Sequence, residues 1–256
     1  MAIEASKTQI DRLGVRLRKG NISEADLRLL DEYRRSFSAA YEFVVGTIQQ
    51  RLQLEPTGRP AKSTTSISDK LARESIRFSQ IQDIAGCRLV VSDVAEQDRV
   101  VEALSTVFEE VEIVDRRDRP SHGYRAVHLI IKTQGKLVEV QVRTVLQHAW
   151  AELSEKLSDV VNPAIKYGGG DPNDQELLKD YGGLIVDQES FEVDLAREKE
   201  RLSALLSQGS LHQDEQDKIL ESRQNTEDVE NQVFALRQRT LELLRTAIAK
   251  LPKRNQ

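Results

Sequence analysis

The sequence predicts an α+β fold: a mixed β-sheet of about five strands flanked by helices, with an N-terminal helix and a C-terminal helical hairpin. Three observations predict it. Apolar residues recur at three- and four-residue steps from Ser23 to about Leu54; four short runs rich in valine and isoleucine lie between residues 84 and 143; and helical spacing returns after residue 144. This divides the chain into a helical segment at 1–54, a sheet-bearing core at 55–165 and a helical, coiled-coil-like extension at 174–256.

The first helix is long. Leu30, Tyr33, Phe37, Tyr41, Val44, Ile48 and Leu52 form its apolar stripe, Asn21 and Ser23 can cap its start, and Pro56 and Gly58 follow its end. A weaker stripe of Ile10, Leu13 and Leu17 precedes it and stops at Gly20. Runs at 84–92, 110–115, 126–132 and 137–143 read as strands. Thr133–Gly135 suits a hairpin turn between the last two, and 94–108 has helical spacing. After the glycine-rich loop at 166–174, residues 184–206 are helical in pattern and 207–215 offer a turn. The set Val229, Val233, Leu236, Thr240, Leu243 and Ala247 then steps by four and three, as a coiled-coil seam does.

Composition sets broad limits. Of 256 residues, 39% are hydrophobic and 31% charged, enough for a core with a well-solvated surface. The net charge of −5 excludes a uniformly basic coat for nucleic acid, while leaving room for a local phosphate-binding patch. Cys87 is the one cysteine, so no intrachain disulfide and no cysteine-rich metal site can form. With no signal-peptide run and no apolar stretch of membrane-span length, a soluble cytoplasmic protein with no membrane partner is expected.

Several polar residues stand where chemistry would need them. Arg59, Lys62, Lys70 and Arg73 lie in GRPAKSTTSISDKLAR, and Lys70 and Arg73, three apart, share a helix face that can hold a polyphosphate. A solvated basic face is the plain alternative. Asp83 immediately precedes an apolar strand that contains Arg88, and charges around a buried strand need partners, if only a salt bridge. In LVEVQVRT, alternation puts Glu139, Gln141 and Arg143 on one sheet face and three valines on the other. Between them SHGYRAVH sets Gly123 before Tyr124, whose ring can stack on a base, and His128 four residues on.

In order, GR…SISDKLAR…QDIAGCRLVV…HGYRAVHLII…VEVQVRT…HAWAE resembles the synthetase domain of the RelA/SpoT family over about residues 55–157. The resemblance implies a nucleotidyltransferase-like fold and an ATP-dependent 3′-pyrophosphotransferase: the β,γ-pyrophosphate of ATP moves to a ribose 3′-hydroxyl and AMP is released. It further implies ATP-binding roles for Arg59, Lys70 and Arg73, stacking of Arg88 on adenine, and Mg2+ binding by Asp83 and Glu139. Glu139 would also activate the acceptor hydroxyl. Tyr124 and His128 match acceptor-site residues, with Tyr124 stacking on the base; Gln141 and Arg143 complete the strand motif and, with Arg119, join the acceptor side.

Two departures from the family pattern touch the acceptor. The lysine common four residues before the stacking tyrosine is replaced by Pro120, amid Arg116, Arg117 and Arg119, and the usual pattern after Trp150 becomes AELSEK, with Ser154 and Glu155 in place of a Glu-His pair. The acceptor expected from the family is GDP or GTP, giving (p)ppGpp. The alternatives are the 3′-terminal adenosine of tRNA, as in the toxic small synthetases, or an adenine nucleotide. The hydrolase His-Asp motif is missing, so a synthesis-only enzyme is expected. A rival of another class is a non-catalytic nucleotide- or RNA-binding module, which gives no reason to keep both Asp83 and Glu139. The C-terminal helices permit a homo-oligomer or the docking of a regulator or antitoxin.

Overall fold

A computed structural model describes residues 5–207 and 212–251 of the chain. Eight α-helices and five strands fall in these residues: α1 (Lys7–Lys19), α2 (Glu24–Arg35), α3 (Ser38–Thr47), β1 (Thr57–Arg59), α4 (Thr64–Arg73), β2 (Ala85–Val91), α5 (Val94–Val107), β3 (Val111–Asp115), β4 (Val127–Thr133), β5 (Lys136–Thr144), α6 (Val145–Val160), α7 (Pro172–Ser207) and α8 (Gln213–Lys250). The strands form one mixed sheet in the order β1-β2-β5-β4-β3, as expected from the sequence. The β4–β5 hairpin pairs Val127 with Val142 through Thr133 with Lys136. The chain divides into two compact units. One holds Met1–Leu89, Val100–Asp115 and Val127–Val142; the other holds Val90–Arg99, Arg116–Ala126 and Arg143–Gln256.

In the first unit the apolar stripes become the core. Ile10, Leu13 and Leu17 of α1, Ile67 and Leu71 of α4, Phe78, and Leu129, Ile131, Val138, Val140 and Val142 of the sheet are all buried. Serine caps the starts of α1, α2 and α4: Ser6, Ser23 and Ser63 accept from the backbone amides of Gln9, Asp26 and Ser66. Arg18 fastens α1 to the end of α4, its guanidinium donating to the carbonyls of Leu71 (2.6 Å), Glu74 (3.3 Å) and Ile76 (2.8 Å). The Leu71 carbonyl is one that the helix end leaves without an intrahelical partner, and those of Glu74 and Ile76 belong to the cap and the loop that follows.

The long helix expected between Ser23 and Leu54 is broken. α2 stops at Arg35, where Ser36 Oγ donates back to the Tyr33 carbonyl at 2.6 Å, and α3 ends in a π-turn over Ile48–Leu52. A serine competing for backbone groups interrupts a helix without disturbing the spacing of its apolar residues. The stripe survives the break, with Leu30, Phe37, Val44 and Ile48 still buried.

In the second unit α6, α7 and α8 share a core of Leu146, Trp150, Leu153, Leu157, Leu178, Ile185, Leu241 and Leu244. The expected turn at 207–215 lies partly outside the described residues. The coiled-coil seam on α8 faces inward only in part: Thr240 is buried, Ala247 packs against the core and Val233 is half-buried, but Val229, Leu236 and Leu243 are exposed, and Thr226, Leu241 and Leu244 are buried instead. The heptad spacing was real, but the helix is rotated so that its inward face is set by the leucines packed on Trp150 and Ile185 and by Arg237, which pairs with Glu192 at 2.9 Å.

This register makes a sharp prediction. Leu244→Ala is expected to cost about 2–5 kcal/mol of stability, and Leu243→Ala no more than about 0.5 kcal/mol, measured by chemical denaturation. Equal losses at the two positions would refute the assigned face.

Candidate active site

Asp83 closes the loop that enters β2, and two lysines meet it. Lys62 Nζ donates to Oδ2 and Lys70 Nζ to Oδ1, the latter at 3.1 Å. Lys62 is brought there by backbone pairing of its amide with the Ile84 carbonyl at 2.6 Å, and Lys70 by the turn of α4 that buries Ile67 and Leu71. Burial alone would raise the Asp83 carboxyl; the two ammonium groups outweigh it and hold Asp83 below the usual carboxylate range.

Glu139 sits on β5 between buried Val138 and Val140. Its Oε1 faces His128 Nδ1 at 2.8 Å across the hairpin, and its Oε2 accepts from the Gln141 amide at 2.7 Å. Register explains the meeting: His128 pairs directly with Gln141, which leaves Glu139 diagonally opposite. Burial pushes Glu139 up; the His128 hydrogen bond and charge, with help from Gln141, pull it below its ordinary value against the repulsion of Asp83. The two carboxylates therefore feel each other. Gly86 allows this part of the sheet to close, since a Cβ there would lie 2.9 Å from the Glu139 carbonyl oxygen.

Among the described residues there is no cluster of three or more metal-ligating side chains. Two ionised carboxylates with hard oxygens nevertheless suit a divalent cation that draws the rest of its shell from phosphate and water.

The second unit holds its own polar group. His122 and Gly123 both have positive φ, 52° and 85°, and make a tight turn closed by the Tyr124 amide on the Ser121 carbonyl at 3.0 Å. Only a residue without Cβ fits at 123, where a side chain would begin 2.8 Å from the Trp150 ring. The turn presents Tyr124 to Arg143, whose Nη2 donates to the phenol oxygen at 2.7 Å while its guanidinium carbon lies 4.9 Å from the ring centroid. Trp150 is fixed in turn by its Nε1–H on the Leu178 carbonyl at 2.9 Å.

The candidates named from the sequence thus fall into distinct roles. Asp83, Lys62 and Lys70 form one cluster and Glu139, His128 and Gln141 another, while Tyr124 and Arg143 pair. His128 and Gln141, expected on the acceptor side, are hydrogen-bonded to Glu139. Arg88 is half-buried on β2, opposite Thr57. Arg59 and Arg119 are exposed, and Arg73 pairs with Glu74 at 2.9 Å. Of the neighbouring arginines, Arg117 is engaged by Asp98 at 2.6 Å. Sequence reasoning did not single out Arg125 and Glu189, which form an ion pair at 3.2 Å. The legible signal was Glu189 itself, a charge on the buried face of a helix.

Residues 58–158 match the model of a region found in RelA and SpoT proteins. An uncharacterized protein of Mycobacterium tuberculosis is 31% identical over 169 residues, covering 63% of this chain and 62% of that protein's length. GTP pyrophosphokinase YjbM of Bacillus subtilis is 30% identical over 166 residues, 59% of this chain and 69% of the relative. Among solved structures, a GTP pyrophosphokinase family protein from Streptococcus pneumoniae shares the fold at a TM-score of 0.51 and 23% identity, over 72% of this chain and 98% of that one.

Because the folded state holds Asp83 ionised more firmly than the unfolded chain does, its contribution to stability is present above the unfolded pKa and is lost as pH falls through the lower folded value. Asp83→Asn is expected to cost about 1–3 kcal/mol near neutral pH, by leaving two lysines without their carboxylate. The gap to wild type should shrink as the pH falls below about 4. A gap independent of pH, in unfolding curves taken across that range, would contradict the charge assignment.

Proposed function

The chain belongs to the RelA/SpoT family, and from that premise we propose that it transfers the β,γ-pyrophosphate of ATP to the 3′-hydroxyl of a guanine nucleotide, GDP or GTP, forming (p)ppGpp. The observation that carries this reading is the pair of carboxylates Asp83, held by the Lys62 and Lys70 ammonium groups, and Glu139, held by His128 and Gln141. The names of the curated relatives support the choice of a guanine nucleotide.

Asp83 and Glu139 would hold Mg2+, and the ion would neutralise charge on the transferring group. Lys62 and Lys70 bring two further positive charges to the same carboxylate, so their ammonium groups are placed to take phosphate oxygens of the donor. Arg88, and Arg59 and Arg73 where they can turn inward, complete the donor side. Tyr124 stacks on the acceptor base, with Arg143 locking its phenol.

In the reaction the 3′-oxygen attacks the β-phosphorus, the bond from that phosphorus to the oxygen bridging to the α-phosphate breaks, and AMP leaves with the bridging oxygen. The hydroxyl proton passes to Glu139. A carboxylate with a lowered pKa is a weak base, so Glu139 orients and polarises the hydroxyl and takes the proton late, which suits a loose phosphoryl transition state. His128 at 2.8 Å fixes the carboxylate for that task.

Glu139→Gln is expected to lower turnover by about 10²–10⁴-fold with the unfolding midpoint little changed. The reading is tested with ATP labelled on the γ-phosphate, Mg2+, and GDP, GTP, ADP, AMP and deacylated tRNA offered one at a time. Label on GDP or GTP, abolished by a chelator, is the expected outcome. Label on tRNA or on an adenine nucleotide alone would replace the acceptor, and no transfer under conditions where another pyrophosphokinase is active would leave a binding module.

A further inference from the structure

Glu189 is 3% exposed, a carboxylate in the middle of α7 on the face that also buries Ile185 and Gln188. Leaving such a charge without partners is costly, and here both oxygens are fully used. Oε1 accepts from Thr144 Oγ1 at 3.0 Å and Gln147 Nε2 at 2.7 Å; Oε2 accepts from Arg125, whose Nε and Nη2 both lie at 3.2 Å. The partners are locked in turn. Thr144 Oγ1 and the Gln147 side chain form a capping box at the start of α6, Gln97 donates to Gln147 Oε1 at 2.9 Å, and Arg125 Nη1 donates to the Arg117 carbonyl at 2.6 Å.

Stability alone does not explain this arrangement, because well-packed apolar side chains would stabilise a helix bundle at least as well as a buried ion pair. What the ion pair does supply is position. Arg125 is the residue after Tyr124, and Thr144 is the residue after Arg143. One carboxylate therefore ties together the two chain segments that carry the phenol and the guanidinium, which meet at 2.7 Å.

We propose that Glu189 is a positioning residue for the Tyr124–Arg143 pair: from a helix outside the region matched to the family it fixes the two segments whose side chains form the acceptor platform. The inference rests on the reading above that this pair holds the acceptor. A stacking platform works only if its parts are held to within about half an ångström, and a carboxylate with donors at both ends gives that rigidity. Glu189→Gln is the discriminating change. A carboxamide accepts at one end only, so its amino group must face the donors either of Arg125 or of Thr144 and Gln147.

The test has two arms. In the first, near-ultraviolet circular dichroism is recorded without substrates for wild type, Tyr124→Phe and Glu189→Gln. The part of the tyrosine signal that Tyr124→Phe removes is expected to be lost in Glu189→Gln as well, and its full retention overturns the proposal. In the second, KM for acceptor and for ATP are measured separately. Glu189→Gln is expected to raise the acceptor KM roughly tenfold or more, the scale on which supporting residues act, with the ATP KM within about twofold of wild type. Equal rises in both constants, or neither rising, would show Glu189 to be structural only. Arg125→Lys, which keeps the charge and loses the two-pronged hold, is measured alongside and should show the same split in weaker form; it decides the matter if Glu189→Gln does not fold. A wild-type chain that transfers no pyrophosphate in the second arm defeats the functional reading, whereas the spectroscopic arm still judges the positioning role.

Discussion

Keeping two carboxylates ionised within reach of each other's charge is the constraint on which the first unit is built. Burial pushes both Asp83 and Glu139 toward protonation, and each repels the other. The protein answers with separate sets of partners: two ammonium groups for Asp83, an imidazole and an amide for Glu139. Each partner has its own structural requirement. Lys70 needs α4 at a fixed height, which Arg18 secures by holding the Leu71 carbonyl in its last turn and the Ile76 carbonyl in the loop beyond it. His128 and Gln141 need the β4–β5 register, in which a slip of one residue would turn Glu139 to the buried face. Gly86 must lack a side chain for β2 to lie against β5 at Glu139.

The second unit solves a related problem by neutralisation. Glu189 and Arg125 cancel each other, and Thr144, Gln147 and Gln97 use up the remaining hydrogen-bonding capacity. Both oxygens of Glu189 are thus taken by donors of its own unit. The contrast separates the two kinds of buried charge in this chain: a carboxylate with partners able to exchange for phosphate suits chemistry, and a carboxylate saturated by its own fold suits alignment.

Much of this was legible in the sequence because strands and amphipathic stripes follow short periods. The four valine-rich runs became β2 to β5 within a residue or two, and Asp83, Lys70, Glu139, His128 and Tyr124 lie in segments with strong local patterns. Two kinds of feature were less legible. The break at Ser36 leaves the apolar spacing intact, so periodicity alone cannot reveal it. On α8 two heptad stripes coexist, and which faces inward depends on packing against Trp150 and Ile185, residues far away in sequence. Glu189 belongs to the same class: its partners at 125, 144 and 147 are brought to it only by tertiary structure.

Cys87 lies in the strand that follows Asp83 and is buried there. Burial and the nearby Glu139 carboxylate push its thiol up to about 12, so essentially no thiolate exists at neutral pH. Thiol-directed alkylating reagents thus find little reactive thiolate at Cys87, the one cysteine of the sequence. A single cysteine introduced on an exposed surface would carry a probe selectively, with the native residue left in place as a silent background.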